Sequence, residues 1–267
     1  MPITPPASPI TNDADRPAIA VSVEGDHRPI LFVGDIQGCA EELADLLDRA
    51  GYRPGTHRLI PLGDTVNRGP DAPGVLALLR QTGAEPILGN HELHLLELAQ
   101  SGHVPQPSEK PSSAAGQLAA ADQWPHALEW IRQWPNGWSG PDWLAVHAGL
   151  HPRLSVEETP PSYLAHVRFC TAEGDRPPFS DGNLAEEPAD FKPWYAFYRG
   201  QRTVFYGHWA RRGLNLQGRL RGLDSGCVYG GLLSGLWWPE DRLVQVPSRQ
   251  PNRLLQGRNQ GGPRTMK

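Results

Sequence analysis

ILFVGDIQGC, residues 30–39, decides the fold. Four apolar residues, Ile30 to Val33, run into Gly34 and Asp35, the pattern of a buried strand that stops abruptly and leaves a carboxylate at its carboxyl end. A helix is predicted next, because Leu43, Leu46, Leu47 and Ala50 recur at i, i+3, i+4 and i+7, with Gly51 placed as its C-cap. The unit then recurs. RLIPLGD at 58–64 reads as a second strand, and the helix after it has Pro73 in its first turn and Val75, Leu78 and Leu79 on one face. PILGN at 86–90 reads as a third strand, followed by a helix carrying Leu93, Leu96 and Ala99. Units of about 28 residues suit right-handed parallel crossovers, so the class is α/β. Residues 102–117 are polar and rich in Pro and Ser and read as a loop. Helical pattern resumes over 122–135. Strand-like pieces follow at 142–147, 203–208, 219–224, 231–238 and 242–246, while the Pro- and acid-rich stretch 150–200 gives no readable pattern.

Polar residues of ligand type stand just past several of these strand ends: Asp35, Asp64, Asn90 with His91, His147 in VHAG, and His208 in YGH. Sites in open α/β sheets form at the carboxyl ends of strands. Taken singly, each motif reads as a turn, a helix cap or a packed histidine. Five together, offering two carboxylates, an amide and imidazoles, suit a borderline divalent metal such as Mn, Fe, Co or Zn.

The order GD-x-x-G, GD-x-V-x-R-G, GNHE, HAG, GH resembles the phosphoprotein-phosphatase branch of the calcineurin-like metallophosphoesterases. Within that branch GDIQGC (34–39), GDTVNRGP (63–70), GNHELHLL (89–96), RFCT (168–171), KPWY (192–195), GHWA (207–210) and LDSGCVYGG (223–231) are similar to the symmetrical dinucleoside-tetraphosphate hydrolases, over residues 29–250. The resemblance implies an α/β metallophosphoesterase fold, a central β-sandwich flanked by helices. The cap is reduced, since the stretch from His147 to Arg168 is short. It implies two divalent metal ions, Mn2+ foremost, with Co2+, Fe2+, Ni2+ or Zn2+ as further candidates. Asp35, Gln37 and Asp64 would hold the first, and Asp64 would bridge to the second, completed by Asn90, His147 and His208. A shared hydroxide would attack phosphorus in line. His91 would protonate the leaving group, Arg68 would fork onto non-bridging phosphate oxygens, and Arg168 is a candidate second clamp.

Two positions depart from the wider pattern. Gln37 stands where most metallophosphoesterases have histidine, and Asn67 where protein phosphatases have the aspartate that orients the acid histidine. Both also mark the tetraphosphatase subfamily. The implied reaction is symmetrical cleavage of diadenosine tetraphosphate-type dinucleoside polyphosphates to two ADP. A serine/threonine protein phosphatase or broad phosphomonoesterase, acting on phosphoproteins, is the alternative, and a non-catalytic binder on this fold is the lesser one.

Other constellations carry less. Cys170 to Arg176 fits C-x5-R, but Glu173 and Asp175 would repel a phosphate and Pro177-Pro178 prevents the helix start such a loop needs. His91 and His94 are three apart, whereas HExxH needs four to share a face. The tryptophans at 124, 130, 134, 138 and 143 read as core, with an adenine-stacking platform as the sharper alternative. Tyr229 reads as packing or as leaning over the metals.

Composition bounds the rest. The 267 residues are 39% hydrophobic and 20% charged, with 29 Gly and 28 Pro. Net charge is −4, so no DNA partner is expected. No apolar run is long enough for a membrane span, and the N-terminus does not read as a signal peptide. Three scattered cysteines suit a reducing compartment, the cytoplasm. Residues 1–28 read as a disordered segment, 29–247 as the metallophosphoesterase domain, and 248–267 as a flexible basic tail. Monomer and dimer are equally compatible with the sequence.

Overall fold

The computed structural model describes residues 19–110, 112–178 and 188–251. Its elements in chain order are β1 (Ala20–Val21), β2 (Ile30–Val33), α1 (Ala40–Ala50), β3 (Arg58–Pro61), α2 (Ala72–Thr82), α3 (Asn90–Gln100), α4 (Ala114–Ala120), α5 (Trp124–Ile131), β4 (Gly137–Ser139), β5 (Trp143–Val146), α6 (Pro161–His166), β6 (Phe169–Cys170), β7 (Lys192–Pro193), β8 (Thr203–Tyr206), β9 (Leu220–Gly222), β10 (Leu232–Trp238) and β11 (Arg242–Pro247). Short 3-10 turns follow β7 and β9.

Two sheets form a sandwich. One has the order β11-β10-β2-β3, the other β1-β4-β5-β8-β9. β2 pairs parallel with β3, the predicted crossover through α1, and antiparallel with β10. β5, β8 and β9 pair in parallel. Strands buried on both faces explain the continuous apolar runs. Along β2, Ile30 and Phe32 face the opposing sheet, where Phe32 stacks on Phe205 with centroids 3.7 Å apart. Leu31 and Val33 face the layer made by α1 to α5. On the far side, Leu144 and Val146 of β5 and Val204 and Tyr206 of β8 pack under α6 and Trp194.

Helix boundaries follow local chemistry. Gly51 ends α1 in the left-handed region, its N–H donating to Asp48 and Leu47 carbonyls. The Asp71 carboxylate accepts from Gly74 N at the start of α2. Of the predicted α3 face, Leu96 is buried and Leu93 and Ala99 are partly buried against the core, and Leu95 is buried beside them.

Three expectations are corrected. PILGN is not a strand: residues 84–89 run extended beside β3, giving single hydrogen bonds from Glu85 N to Leu59 O and Ile87 N to Pro61 O. Pro86 and Pro61 have no N–H, so no regular ladder closes there. The stretch 102–117 is not all loop, because α4 starts at Ala114 behind a Ser113 cap. The stretch 150–200 holds α6 and the β6–β7 pair.

At the ends, β1 pairs with β4 inside the stretch that reads as disordered, and residues 1–18 of that stretch lie outside the described residues. Arg249, at the start of the basic tail, ion-pairs with Glu41 at 3.0 Å and Asp45 at 2.5 Å on α1; residues 252–267 lie outside the described residues. Among the described residues, no helix is long and apolar enough to cross a membrane.

Candidate metal centre

The sandwich brings the carboxyl ends of β2, β3, β5, β8 and β9 to one edge. Asp35 follows β2, Asp64 follows β3, His147 follows β5 and His208 follows β8. Asn90 and His91 open α3. All are buried except Asn90, which is partly so. Two backbone approaches require glycine: a Cβ at Gly207 would strike Asp35 Oδ1, and one at Gly89 would strike the Asp64 amide and carboxylate.

The sequence-predicted residues converge. His147 Nε2 lies 3.1 Å from Asn90 Oδ1, 3.2 Å from His208 Nδ1 and 3.3 Å from Asp64 Oδ1. His208 Nδ1 lies 2.8 Å from Asn90 Oδ1. Asp64 Oδ2 lies 3.4 Å from Gln37 Nε2 and 3.6 Å from His91 Nε2. Asp35 Oδ1 accepts from His208 N at 2.9 Å, and Asp64 Oδ1 from His91 N at 3.0 Å.

Proton bookkeeping shows what this cluster needs. A carbonyl oxygen only accepts, so His147 Nδ1–H donates to Leu62 O at 2.7 Å, and His208 Nε2–H donates to His166 O at 3.2 Å. Each ring therefore turns its other nitrogen inward, a lone-pair donor to a metal when the ring is neutral. Burial, with Arg168 and His147 nearby, holds the His208 imidazole well below its ordinary pKa and so uncharged. The inward nitrogens of His147 and His208, the Asn90 carbonyl oxygen and Asp64 Oδ1 then face one another. Ligand atoms of Asp64, His147 and His208 all lie within 4.8 Å of one another. A cation satisfies all four ligand atoms at once, and two nitrogens with two oxygens fit a borderline divalent metal. Asp35 Oδ2 and His91 Nε2 are buried without hydrogen-bond partners, which fits the same conclusion.

The carboxylates divide. Burial, with Asp224 and Asp64 close by, pushes the Asp35 carboxyl well up. Burial also acts to raise Asp64, but His147, His91 and Arg68 outweigh it and hold that carboxyl below the usual range.

His91 has a defined tautomer. Asn67 Oδ1 accepts from Ala114 N at 3.3 Å, so the Asn67 NH2 faces His91 Nδ1 at 2.9 Å. Nδ1 then accepts, and Nε2 carries the proton toward the cluster. Burial lowers the His91 pKa, partly offset by Asp64. Arg68 is exposed, with its guanidinium 5.6 Å above the Tyr229 ring. Tyr229 thus both packs on the helical core and supports Arg68. Arg168 Nη2 donates to His208 O at 3.1 Å, beside the cluster.

Two residues went unread as site residues. Glu92 is fully buried and receives the Gly89, Asp64 and Thr65 amides. Its position three residues after Gly89, in a capping-box arrangement, was the available signal. Asp224 lies past the end of β9, the placement that marks the other site residues. The competing motifs fall away: Cys170 is fully buried in the core under α6, and His94 is exposed. Trp134 and Trp143 are core, while Trp130 and Trp138 lie against Arg80 and Arg58.

Fold and site together define a metal-dependent phosphoester hydrolase. Residues 28–212 match the calcineurin-like phosphoesterase family, and the chain belongs to it. A symmetrical bis(5'-nucleosyl)-tetraphosphatase of Acidovorax sp. (strain JS42) is 33% identical, over 76% of this chain and 90% of that one. The protein of the same name from Aromatoleum aromaticum is 29% identical, over 81% of this chain and 96% of that one. A crystal structure provisionally assigned as a diadenosine tetraphosphatase superposes with TM-score 0.68 and 31% identity, covering 87% of this chain and 98% of that one. A serine/threonine phosphatase from Saccharomyces cerevisiae shares the fold alone, at TM-score 0.52 and 16% identity over 87% of this chain and 84% of that one.

Proposed function

We propose that this chain cleaves dinucleoside tetraphosphates symmetrically, diadenosine tetraphosphate to two ADP, with two divalent ions, manganese foremost, at the strand-end cluster. The observation that carries the reading is the convergence of ligand atoms of Asp64, Asn90, His147 and His208 on one buried point. Asp35 and Gln37, with Asp64 shared, are assigned to one ion, and Asp64, Asn90, His147 and His208 to the other. When bound, such ions neutralise phosphate charge and make water acidic enough to ionise near neutral pH.

The chain's own groups do the remainder. Arg68, raised on Tyr229, offers a planar fork to non-bridging oxygens. Arg168, anchored on the His208 carbonyl, is the second clamp. His91, once protonated on both nitrogens, delivers the Nε2 proton to the departing phosphate oxygen and is left as a neutral ring beside Asn67. Residues 29–247 make up the catalytic unit, and three unpaired cysteines support a cytoplasmic setting. A nucleotide polyphosphate is the proposed partner.

The test is a product panel. The protein with Mn2+ or Co2+ is expected to turn diadenosine tetraphosphate into ADP alone, read by mass spectrometry. AMP with ATP, or phosphate released only from phosphopeptides, would defeat the assignment.

The His91 role makes a separate prediction. Asn67→Asp puts a carboxylate on Nδ1, which stabilises the imidazolium and raises the His91 pKa. An acid with a higher pKa stays protonated longer as pH rises. The alkaline limb of the kcat/KM profile is therefore expected to move up by about one unit or more. A limb that stays put removes His91 as the acid.

A further inference from the structure

Three carboxylates, rather than two, meet at the strand ends. Asp224 is 5% exposed and lies two residues past β9. The backbone of Leu223, the residue before it, packs against Gly34, the residue before Asp35, and this brings the two carboxyls close enough to repel. Asp224 Oδ1 also accepts from Gly226 N at 3.0 Å, closing a local turn. That turn accounts for one oxygen and for no charge, since an asparagine or serine would close it as well. Asp35 uses Oδ1 on His208 N at 2.9 Å and keeps a buried Oδ2 with no partner. Two acidic side chains close together in a site nearly closed to water are costly unless a positive charge joins them.

Gln37, assigned to the same ion, is a neutral amide and a poorer ligand than the imidazole it replaces. Two divalent ions bring four positive charges, and Asp35 with Asp64 answers two of them. We infer that Asp224 is a third carboxylate of the first ion site, beside Asp35 and Gln37, supplying the charge and oxygen that the amide does not. The inference rests on the two-ion reading above.

Asp224→Asn tests it, because the amide oxygen still closes the turn to Gly226 N while the charge is lost. Metal content after equilibration with Mn2+ and desalting, together with titration of free Mn2+ by electron paramagnetic resonance, gives ion number and affinity. Wild type is expected to hold two ions. The variant is expected to hold one unchanged and to bind the other at least tenfold more weakly. Melting of the metal-free proteins separates this role from a structural one. Relief of the repulsion from Asp35 leaves the variant's Tm unchanged or raised, whereas loss of a turn residue lowers it. Two ions at wild-type affinity in Asp224→Asn overturn the inference and leave the two-ion reading standing. Fewer than two ions in wild type overturn that reading itself. Should Asp224→Asn not melt cooperatively, Asp224→Ser takes its place, and two tightly held ions there likewise overturn the inference.

Discussion

Asp64→Asn is expected to lower kcat/KM by at least about 10³-fold, with nearly all of the loss in kcat. Removing one preorganised donor from a reacting oxyanion already costs about 10²–10³ in rate. Asp64 does more. It lies between both proposed ion positions, with Oδ1 3.3 Å from His147 Nε2 and Oδ2 3.4 Å from Gln37 Nε2. An asparagine there removes the negative charge that lets two cations sit close together. It also turns an NH2 toward either the His91 amide, which donates to Oδ1 at 3.0 Å, or the Gln37 amide. Arg68 and Arg168 still offer their phosphate contacts, so KM is expected to change little. Steady-state kinetics at saturating Mn2+, with metal content measured alongside, checks both parts. Turnover equal to wild type would defeat the proposed centre.

What was legible in the sequence follows from which forces are local. β2, β3, α1 and α2 were readable because Ile30 to Val33 are buried on both faces and Leu43, Leu46 and Leu47 repeat with the helical period. The site was readable because Asp35, Asp64, His147 and His208 each follow a strand, while Asn90 and His91 follow an extended apolar run that stops at Gly89. Pairing across the sandwich was not. Nothing near Phe32 announces that Leu236 lies beside it or that Phe205 stacks on it. PILGN misled because its apolar residues are buried like a strand's, with Ile87 and Leu88 almost fully covered, while its prolines deny it a ladder. α4 was hidden because Ala114, Ala115 and Ala119 carry little apolar signal, and only their packing reveals the helix. Asp224 escaped because RLRGLD reads as one strand through residue 224, whereas β9 ends at Gly222 and leaves Asp224 past its end.

The backbone at the site is itself held out of its comfortable range. Among the described residues, seven non-glycine positions have positive φ, and five of them are Gln37, Asp64, Asn67, Arg68 and His208. Each such residue costs on the order of 1–3 kcal/mol and persists only where surrounding contacts overdetermine it. Some buried group must therefore clamp the loop from Gly63 to Val66. Asp64 cannot clamp itself, since its carboxylate faces the cluster.

Glu92 is that clamp, and its removal is expected to have the largest effect on stability. Its Oε2 accepts from Asp64 N and Gly89 N, both at 2.9 Å. Its Oε1 accepts from Thr65 N at 2.8 Å, Thr65 Oγ1 at 2.9 Å and Val66 N at 3.3 Å. Only a carboxylate offers acceptors on both sides. Glu92→Gln keeps the shape but supplies one oxygen, so the new NH2 meets at least two N–H donors in a site with no solvent exposure. Each buried donor left without a partner costs about 1–3 kcal/mol. A loss of about 3 kcal/mol or more follows, which for a chain of this length lowers Tm by about 6–12 °C. Glu97→Gln, exposed on the same helix, is the control and is expected to stay within about 0.5 kcal/mol of wild type. Activity measured well below the new Tm is expected to fall as well, because the freed loop carries Asp64 and the lost contact at Gly89 precedes Asn90 and His91. Melting of Glu92→Gln within a degree or two of wild type would mean that the loop keeps its strained shape by other contacts, and that Glu92 merely fills space under α3.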